Sequence, residues 1–502
     1  MRAMPETLYR FRPPSLSRGD FLLGILAMGV GVGVGAGGLL TGAAVGLATL
    51  AVLVGLLIFW LDGTRKDYMS IEIPVFLILL VTLVLRYATT GGPRDAEALT
   101  KNPFDLFSMF RLGCVALAAG LGLVALCSPR SEGISRKLTN RPARFYSLYA
   151  LVAFLGIGVS VHPVLTLYRV IELVGVIVVV AGAYRRAGDE ALGRIERMLY
   201  WYAVALVGSV WVGVALWPGV AVETIKSPIP LRVHGVFPHV SSDTLGHLGV
   251  VLVVWSLARF LAPGIERGPR RSVALAIAGF GFVSLVAAQY RTGYAALACA
   301  LVVLMVIRSR TMLVTLAMVA VLALSTLGGG FFAATQPYVL RGQDVERARR
   351  LQGRTTYWSA ALPIWEQSPI IGGGLQTASR LVALTNLDAK KDSAQNLHST
   401  WMEALVGTGT VGFLLLASYV IVSWGRAMKM ALLRGGRFVP VLIMTVILVR
   451  SFTGGSFEQG GDTGLLFLVM AWGLRDAYFF HSKPVYTPLR PLPVGEGPRS
   501  VG

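Results

Sequence analysis

The sequence predicts an all-α bundle that crosses a membrane about fourteen times. Three observations predict it. Of 502 residues, 54% are hydrophobic and only 14% charged; mean hydropathy is +0.65; and apolar runs recur from residue 21 to residue 480. A hydrocarbon core of about 30 Å takes about 20 helical residues. Backbone groups in lipid must pair internally, which favours helices. Fourteen runs qualify, near 21–37, 42–61, 70–87, 105–127, 145–160, 163–184, 197–217, 243–261, 272–289, 292–308, 311–331, 399–424, 438–454 and 462–480.

The distribution of arginine and lysine supports this count, because alternate connections should collect positive charge on the cytoplasmic side. They do so at Arg65 and Lys66, at Arg130 to Arg144, at Arg185, Arg186, Arg194 and Arg197, at Arg259 to Arg271, at Arg308 and Arg310, and at Arg426 to Arg437. Both termini are thereby predicted to be cytoplasmic. The net charge of +20 is largely this topological signal, so nucleic acid is not expected as a partner. Cys114, Cys127 and Cys299 all fall inside apolar runs without metal-type spacing and read as core. The apolar sequence after residue 20 runs past signal-peptide length and reads as a retained first span.

The organisation that follows is a cytoplasmic segment 1–20, spans one to eleven over 21–331, a long extracytoplasmic loop 332–398, spans twelve to fourteen over 399–480, and a disordered, Pro- and Gly-rich cytoplasmic tail 481–502. Segments 219–242 and 332–398 are the long outer connections, where function concentrates. Within the second, Tyr357, Trp358, Ala361, Leu362 and Trp365 recur at helical spacing. They predict an amphipathic helix on the membrane surface, kinked or interrupted at Pro363. Gly-rich stretches such as GVGVGAGG suit close helix packing.

Basic residues on the outside or within spans are the informative ones, since the topology rule does not place them there. Arg291 is the sole charge between Arg271 and Arg308. An arginine at bilayer depth costs up to roughly 2.5–3.5 kcal/mol, so it snorkels or faces a partner or aqueous cavity. Arg232 lies beside Gly235 and Pro238, just before a span that opens at Asp243. Arg341, Arg347, Arg349, Arg350, Arg354 and Arg380 occupy the long loop, Arg450 an outer helix end, and Arg169 a span that also holds Glu172. The planar fork of guanidinium suits phosphate, so several converging on one cavity would make a pyrophosphate site; a solvated face is the other reading of 341–350. His398 stands where the long loop enters the twelfth span. It is either a cap or a base able to take a hydroxyl proton near neutral pH. Glu403 lies five residues on, about 140° around the helix. The remaining histidines show no ligand spacing, no catalytic metal or other cofactor is expected, and no Walker A sequence is present.

The segment GRTTYWSAALPIWEQSPIIGGGLQTASRL, followed by QNLHSTWMEALVGTGTVGFLLL, resembles the O-antigen ligase and polymerase superfamily. The pattern falls on Gly353, Arg354, Trp358, Pro369, Gly372, Gly374, His398, Glu403, Gly407 and Gly412. The LRVHGVF segment and the YRTG turn are similar to the family's arginine sites. Ser399 stands where the family often has Asn, and the Pro238–Ser242 segment where it often has Pro-Asn, departures that bear on acceptor contacts.

The resemblance implies a metal-independent glycosyltransferase of GT-C type in a bacterial inner (cytoplasmic) membrane. Its donor would be an undecaprenyl-pyrophosphate-linked glycan at the outer leaflet, and its acceptor a glycan or lipid A core. Arg232 and Arg291 would hold the pyrophosphate and His398 would activate the acceptor hydroxyl, with Arg354, Arg169, Arg450 and Glu403 as further substrate contacts. Polymerisation of a surface polysaccharide is the leading expectation. Ligation to lipid A core or protein, and transport or flipping of lipid-linked sugars, are the alternatives.

Overall fold

The structure is a computed structural model and describes residues 68–88, 106–127, 141–225, 230–236, 238–262, 265–266, 268–308, 318, 354–378, 397–433, 436–457 and 461–473. The predicted spans near 21–37, 42–61 and 311–331, the GVGVGAGG stretch, the Arg341–Arg350 cluster, Arg380 and the tail lie outside the described residues.

The described chain is helical. It runs α1 (Tyr68–Ala88), α2 (Leu106–Cys127) and α3 (Arg141–Leu155), which tightens into a 3-10 turn over Gly156–Val159. The helix Pro163–Leu216 breaks at Gly188, where φ is 58° and ψ −133°, into α4 (Pro163–Gly188) and α5 (Glu190–Leu216). A two-stranded hairpin follows, β1 (Val222–Thr224) and β2 (Leu231–Val233), then α6 (Ser242–Leu261), α7 (Arg271–Ala288) and α8 (Arg291–Arg308). The last elements are α9 (Arg354–Gln367), α10 (Thr400–Leu432), α11 (Val439–Ser451) and α12 (Asp462–Gly473). Among the described residues eight helices are long and apolar enough to cross a membrane, and Ile71–Leu83, Val439–Ser451 and Asp462–Trp472 are shorter apolar helices. Each coincides with a predicted span. The chain is an all-α, multi-pass membrane protein.

Helix packing follows from side-chain size. At the α6–α7 crossing, a Cβ on Gly249 would meet the Gly281 carbonyl oxygen at 2.6 Å, so the two backbones touch as small residues permit in lipid. Nearly all of α11 is buried, from Val439 through Ile447. A helix apolar on every side belongs at the centre of a bundle. On α10, Tyr419 stacks on Tyr146 of α3 with ring centroids 4.5 Å apart, and the Tyr146 hydroxyl donates to the Phe457 carbonyl at 2.7 Å.

Just before α11, Arg437 donates to both carboxylate oxygens of Glu196, at 3.0 and 2.8 Å, and to Glu266 at 3.3 Å. Glu266 in turn accepts from the Phe438 and Val439 amides, capping the start of α11. One buried guanidinium thus joins α5, the α6–α7 connection and α11.

One expectation for the long loop is corrected, and one of the two alternatives for Pro363 is excluded. The helix α9 runs through Pro363 to Gln367 without interruption. The apolar stripe of α9 faces protein: Tyr357, Ala361 and Ile364 are buried with Ala378, Leu397 and Val406, while Leu362 is exposed.

Candidate active site

The β-hairpin carries Arg232, paired in register with Glu223. Its guanidinium Nη2 donates to Asp243 at 2.9 Å and its Nε reaches the Ala288 carbonyl at 3.4 Å. The turn from α7 to α8 uses only Gln289 and Tyr290. Gln289 adopts the left-handed conformation, φ 50° and ψ 41°, and its side-chain amide donates to the Leu231 carbonyl at 2.7 Å. Tyr290 lies flat against Gly246 of α6, where any Cβ would sit 2.3 Å from the tyrosine Cβ. These contacts lock the hairpin, the start of α6 and the start of α8 together, which sets Arg291 close to Arg232 and Asp243.

A second group of contacts places His398. Helix α10 breaks at Gly409, with φ 67° and ψ −174°, a region open essentially to glycine alone. The break frees carbonyls above it and amides below it, and buried backbone groups need partners. The loop after α9 supplies them all from its own backbone. Gly373 and Gly374 donate to the Val406 and Gly407 carbonyls at 3.0 Å each, while Thr410 and Val411 donate to the Pro369 and Ile370 carbonyls at 2.8 and 3.2 Å. That exchange explains why the Pro-x-x-Gly-x-Gly segment and the glycines of α10 occur together. Indoles complete the docking: Trp358 donates to the Leu397 carbonyl at 2.9 Å and Trp365 to the Thr410 hydroxyl at 3.2 Å.

The two groups meet around Asp243. Its carboxylate is in electrostatic reach of Arg291, Arg354 and His398 as well as bonded to Arg232. Burial pulls the His398 imidazole below its ordinary pKa; the Arg354 cation pulls the same way and Asp243 opposes. Burial also lowers the Arg354 guanidinium, opposed by Asp243 and Tyr290. Burial and the Arg354 charge thus both favour the neutral imidazole, the form in which a histidine can accept a proton. Asp243 lies in the first turn of α6, Arg291 and Arg354 open α8 and α9, and His398 precedes α10. Three arginines and a histidine, three of these four residues at or just before a helix start, thus gather around one carboxylate, an arrangement that attracts a multiply charged anion.

Arg232, Arg291, Arg354 and His398 are brought together around Asp243; the other expected contacts are engaged with partners of their own. Arg169 donates to Glu172 at 2.7 Å inside the bundle, and Glu172 also accepts from Arg111 at 2.7 Å. Glu403 is buried and accepts from the Leu397 amide at 2.7 Å. Arg450 donates to Thr463 at 3.3 Å. Nearby, the Thr453 hydroxyl donates to Thr292, next to Arg291. Asp243 and Arg111 were not singled out as site residues by sequence reasoning. Arg111 could have been found as an ionisable residue within a span; Asp243 reads as an ordinary acidic first-turn residue.

Residues 274–417 match the O-antigen ligase family model. The matched stretch runs from α7 past the Gly409 break and holds Arg291, Arg354, His398 and Glu403, while Arg232 lies before it. Over that stretch the chain is similar to O-antigen ligases. No curated protein matches the chain.

Proposed function

We propose that the protein is a glycosyltransferase that polymerises undecaprenyl-pyrophosphate-linked repeat units at the outer face of a bacterial inner membrane. The observation that carries this reading is the convergence of Arg232, Arg291 and Arg354 with His398 around Asp243. Pyrophosphate is the dianionic group that such a pocket suits. Neutral His398 takes the proton of an acceptor hydroxyl as that oxygen attacks the anomeric carbon. The bond from that carbon to the phosphate oxygen breaks, and lipid pyrophosphate leaves with the electron pair. Arg232 and Arg291 stabilise the charge that develops on it. Asp243, bonded to Arg232, orients that guanidinium for the phosphate.

The fourteen predicted spans and the long 332–398 loop support the polymerase form over the ligase form. The Gly409 break also bears on the transporter reading. Half-helix ends in transporters hold ions or substrate, whereas here the 369–374 backbone already occupies them. The test supplies a lipid-pyrophosphate repeat unit to purified protein in lipid. A ladder of lengthening lipid-linked products, abolished by His398→Ala, is the expected result. Product only after adding a separate acceptor would make the protein a ligase, and full activity of His398→Ala would remove the histidine from the chemistry.

A further inference from the structure

His398 has φ 50°, a left-handed backbone. Residues other than glycine keep that conformation only where their surroundings impose it. Here the peptide groups of the preceding residue are gripped from two sides. The Leu397 amide donates to a Glu403 carboxylate oxygen at 2.7 Å, and the Leu397 carbonyl accepts from the Trp358 indole at 2.9 Å. Beyond His398, Ser399 is the N-cap of α10: its side chain accepts from the Met402 amide, and its carbonyl accepts from the Glu403 amide at 3.0 Å. Glu403 thus closes a loop from the first turn of α10 back over the histidine, with its carboxylate accepting from the Leu397 amide. It is 2% exposed, too deep to meet a glycan in this conformation.

A carboxylate at that depth needs a positive partner. Arg169 lies within electrostatic reach of Glu403. Arg111 and Arg169 share the single carboxylate of Glu172, at 2.7 Å each, which leaves one positive charge for Glu403 to balance. Two guanidiniums and two carboxylates then sum to zero inside the bundle. The sequence expectation of Arg169 and Glu403 as substrate contacts gives way to a buried neutral network behind the histidine.

We infer that Glu403 is a positioning residue for His398, its carboxylate fixing the Leu397 amide and thereby the left-handed backbone that aims the imidazole, with Arg169 as the counterion. The inference rests on the reading of His398 as the acceptor base. A misplacement of about 1 Å at a reacting group lowers rates about 10²-fold, so Glu403→Ala should reduce kcat about 10²-fold and leave KM for the lipid-linked donor within about twofold. Glu403→Gln keeps an oxygen at the same position, and kcat should stay within about tenfold of the parent although the protein melts earlier.

The decisive readout needs no substrate. Hydrogen–deuterium exchange of peptides covering 397–403 should show the Leu397 amide protected in the parent and in Glu403→Gln, and exchanging faster in Glu403→Ala. A raised donor KM with unchanged kcat would overturn the inference in favour of substrate binding. Loss of kcat in Glu403→Gln equal to that in Glu403→Ala, with Leu397 still protected, would overturn it in favour of direct chemistry. Unchanged Leu397 exchange in Glu403→Ala would overturn it outright. The exchange result stands whatever His398→Ala does to turnover, so failure of the clamp and failure of the proposed reaction are separable.

Discussion

Replacing Gly409 by alanine should uncouple the glycine loop from the helix that carries the histidine. A Cβ there would lie 2.3 Å from both the carbonyl carbon and oxygen of Ile370, a contact that neither backbone can absorb. The new residue would also have to hold φ 67°, ψ −174°, which costs about 1–3 kcal/mol. Relief requires the 369–374 loop to retreat, and four backbone hydrogen bonds cross that junction. Each contributes about 0.5–1.5 kcal/mol net; losing two adds about 1–3 kcal/mol, for a total of about 2–6 kcal/mol. Gly425→Ala in the same helix is the control, because a Cβ at that position meets nothing within 4 Å. It should be neutral or stabilising by up to about 1 kcal/mol, as alanine is the better helix former. Unfolding of both variants in the same lipid, followed with glycan transfer, measures the difference. A Gly409→Ala protein as stable as the parent, within about 0.5 kcal/mol, and fully active would refute the reasoning.

The acid limb of the rate profile should report His398, and its neighbours should move it in opposite directions. Removing the Arg354 charge with Arg354→Gln shifts the limb to higher pH; removing the opposing carboxylate with Asp243→Asn shifts it to lower pH. The parent's limb should lie below the ordinary histidine value of about 6.5, and kcat measured from pH 4.5 to 8 checks all three. Arg291→Ala should lower kcat about 10²–10³-fold, the usual effect of removing a donor from a developing anion. Arg291→Lys should recover little of it, since the fork and not only the charge is used; single-turnover rates with a lipid-pyrophosphate donor test this. Arg437→Met should destabilise by about 3–5 kcal/mol, because it strands two buried carboxylates. Thermal unfolding reads that loss, and donor KM in the surviving folded fraction should not change.

The span pattern was legible because lipid imposes one rule on every residue of a span, whatever it packs against. Arg291 and His398 were legible as charge or potential charge in the wrong place. The less visible parts depend on backbone. The glycines of α10 drew attention at Gly407 and Gly412, yet the break falls at Gly409 between them; only φ distinguishes one glycine of such a run from its neighbours. Glu403 looked like a poor partner for His398 by helical angle, which is correct for side chains and silent about the Leu397 amide. Asp243 resembled any acidic residue in a first helical turn until the hairpin, the α7–α8 turn and α9 were folded around it. The surface helix expected for 357–365 was misplaced for a similar reason: an apolar stripe does not say whether lipid or another helix covers it.

The first turn of α10 is held by residues far downstream. Thr400 donates to the Gly454 carbonyl at 3.1 Å and the Trp401 indole to the Ser451 hydroxyl at 3.0 Å. During synthesis, α10 therefore enters the bilayer before the segment that steadies the residues next to His398 has been made. A nascent chain that already holds Arg232, Arg291, Arg354 and His398 still lacks both of these contacts. The residues next to His398 gain their downstream support only when α11 and its exit turn are in place.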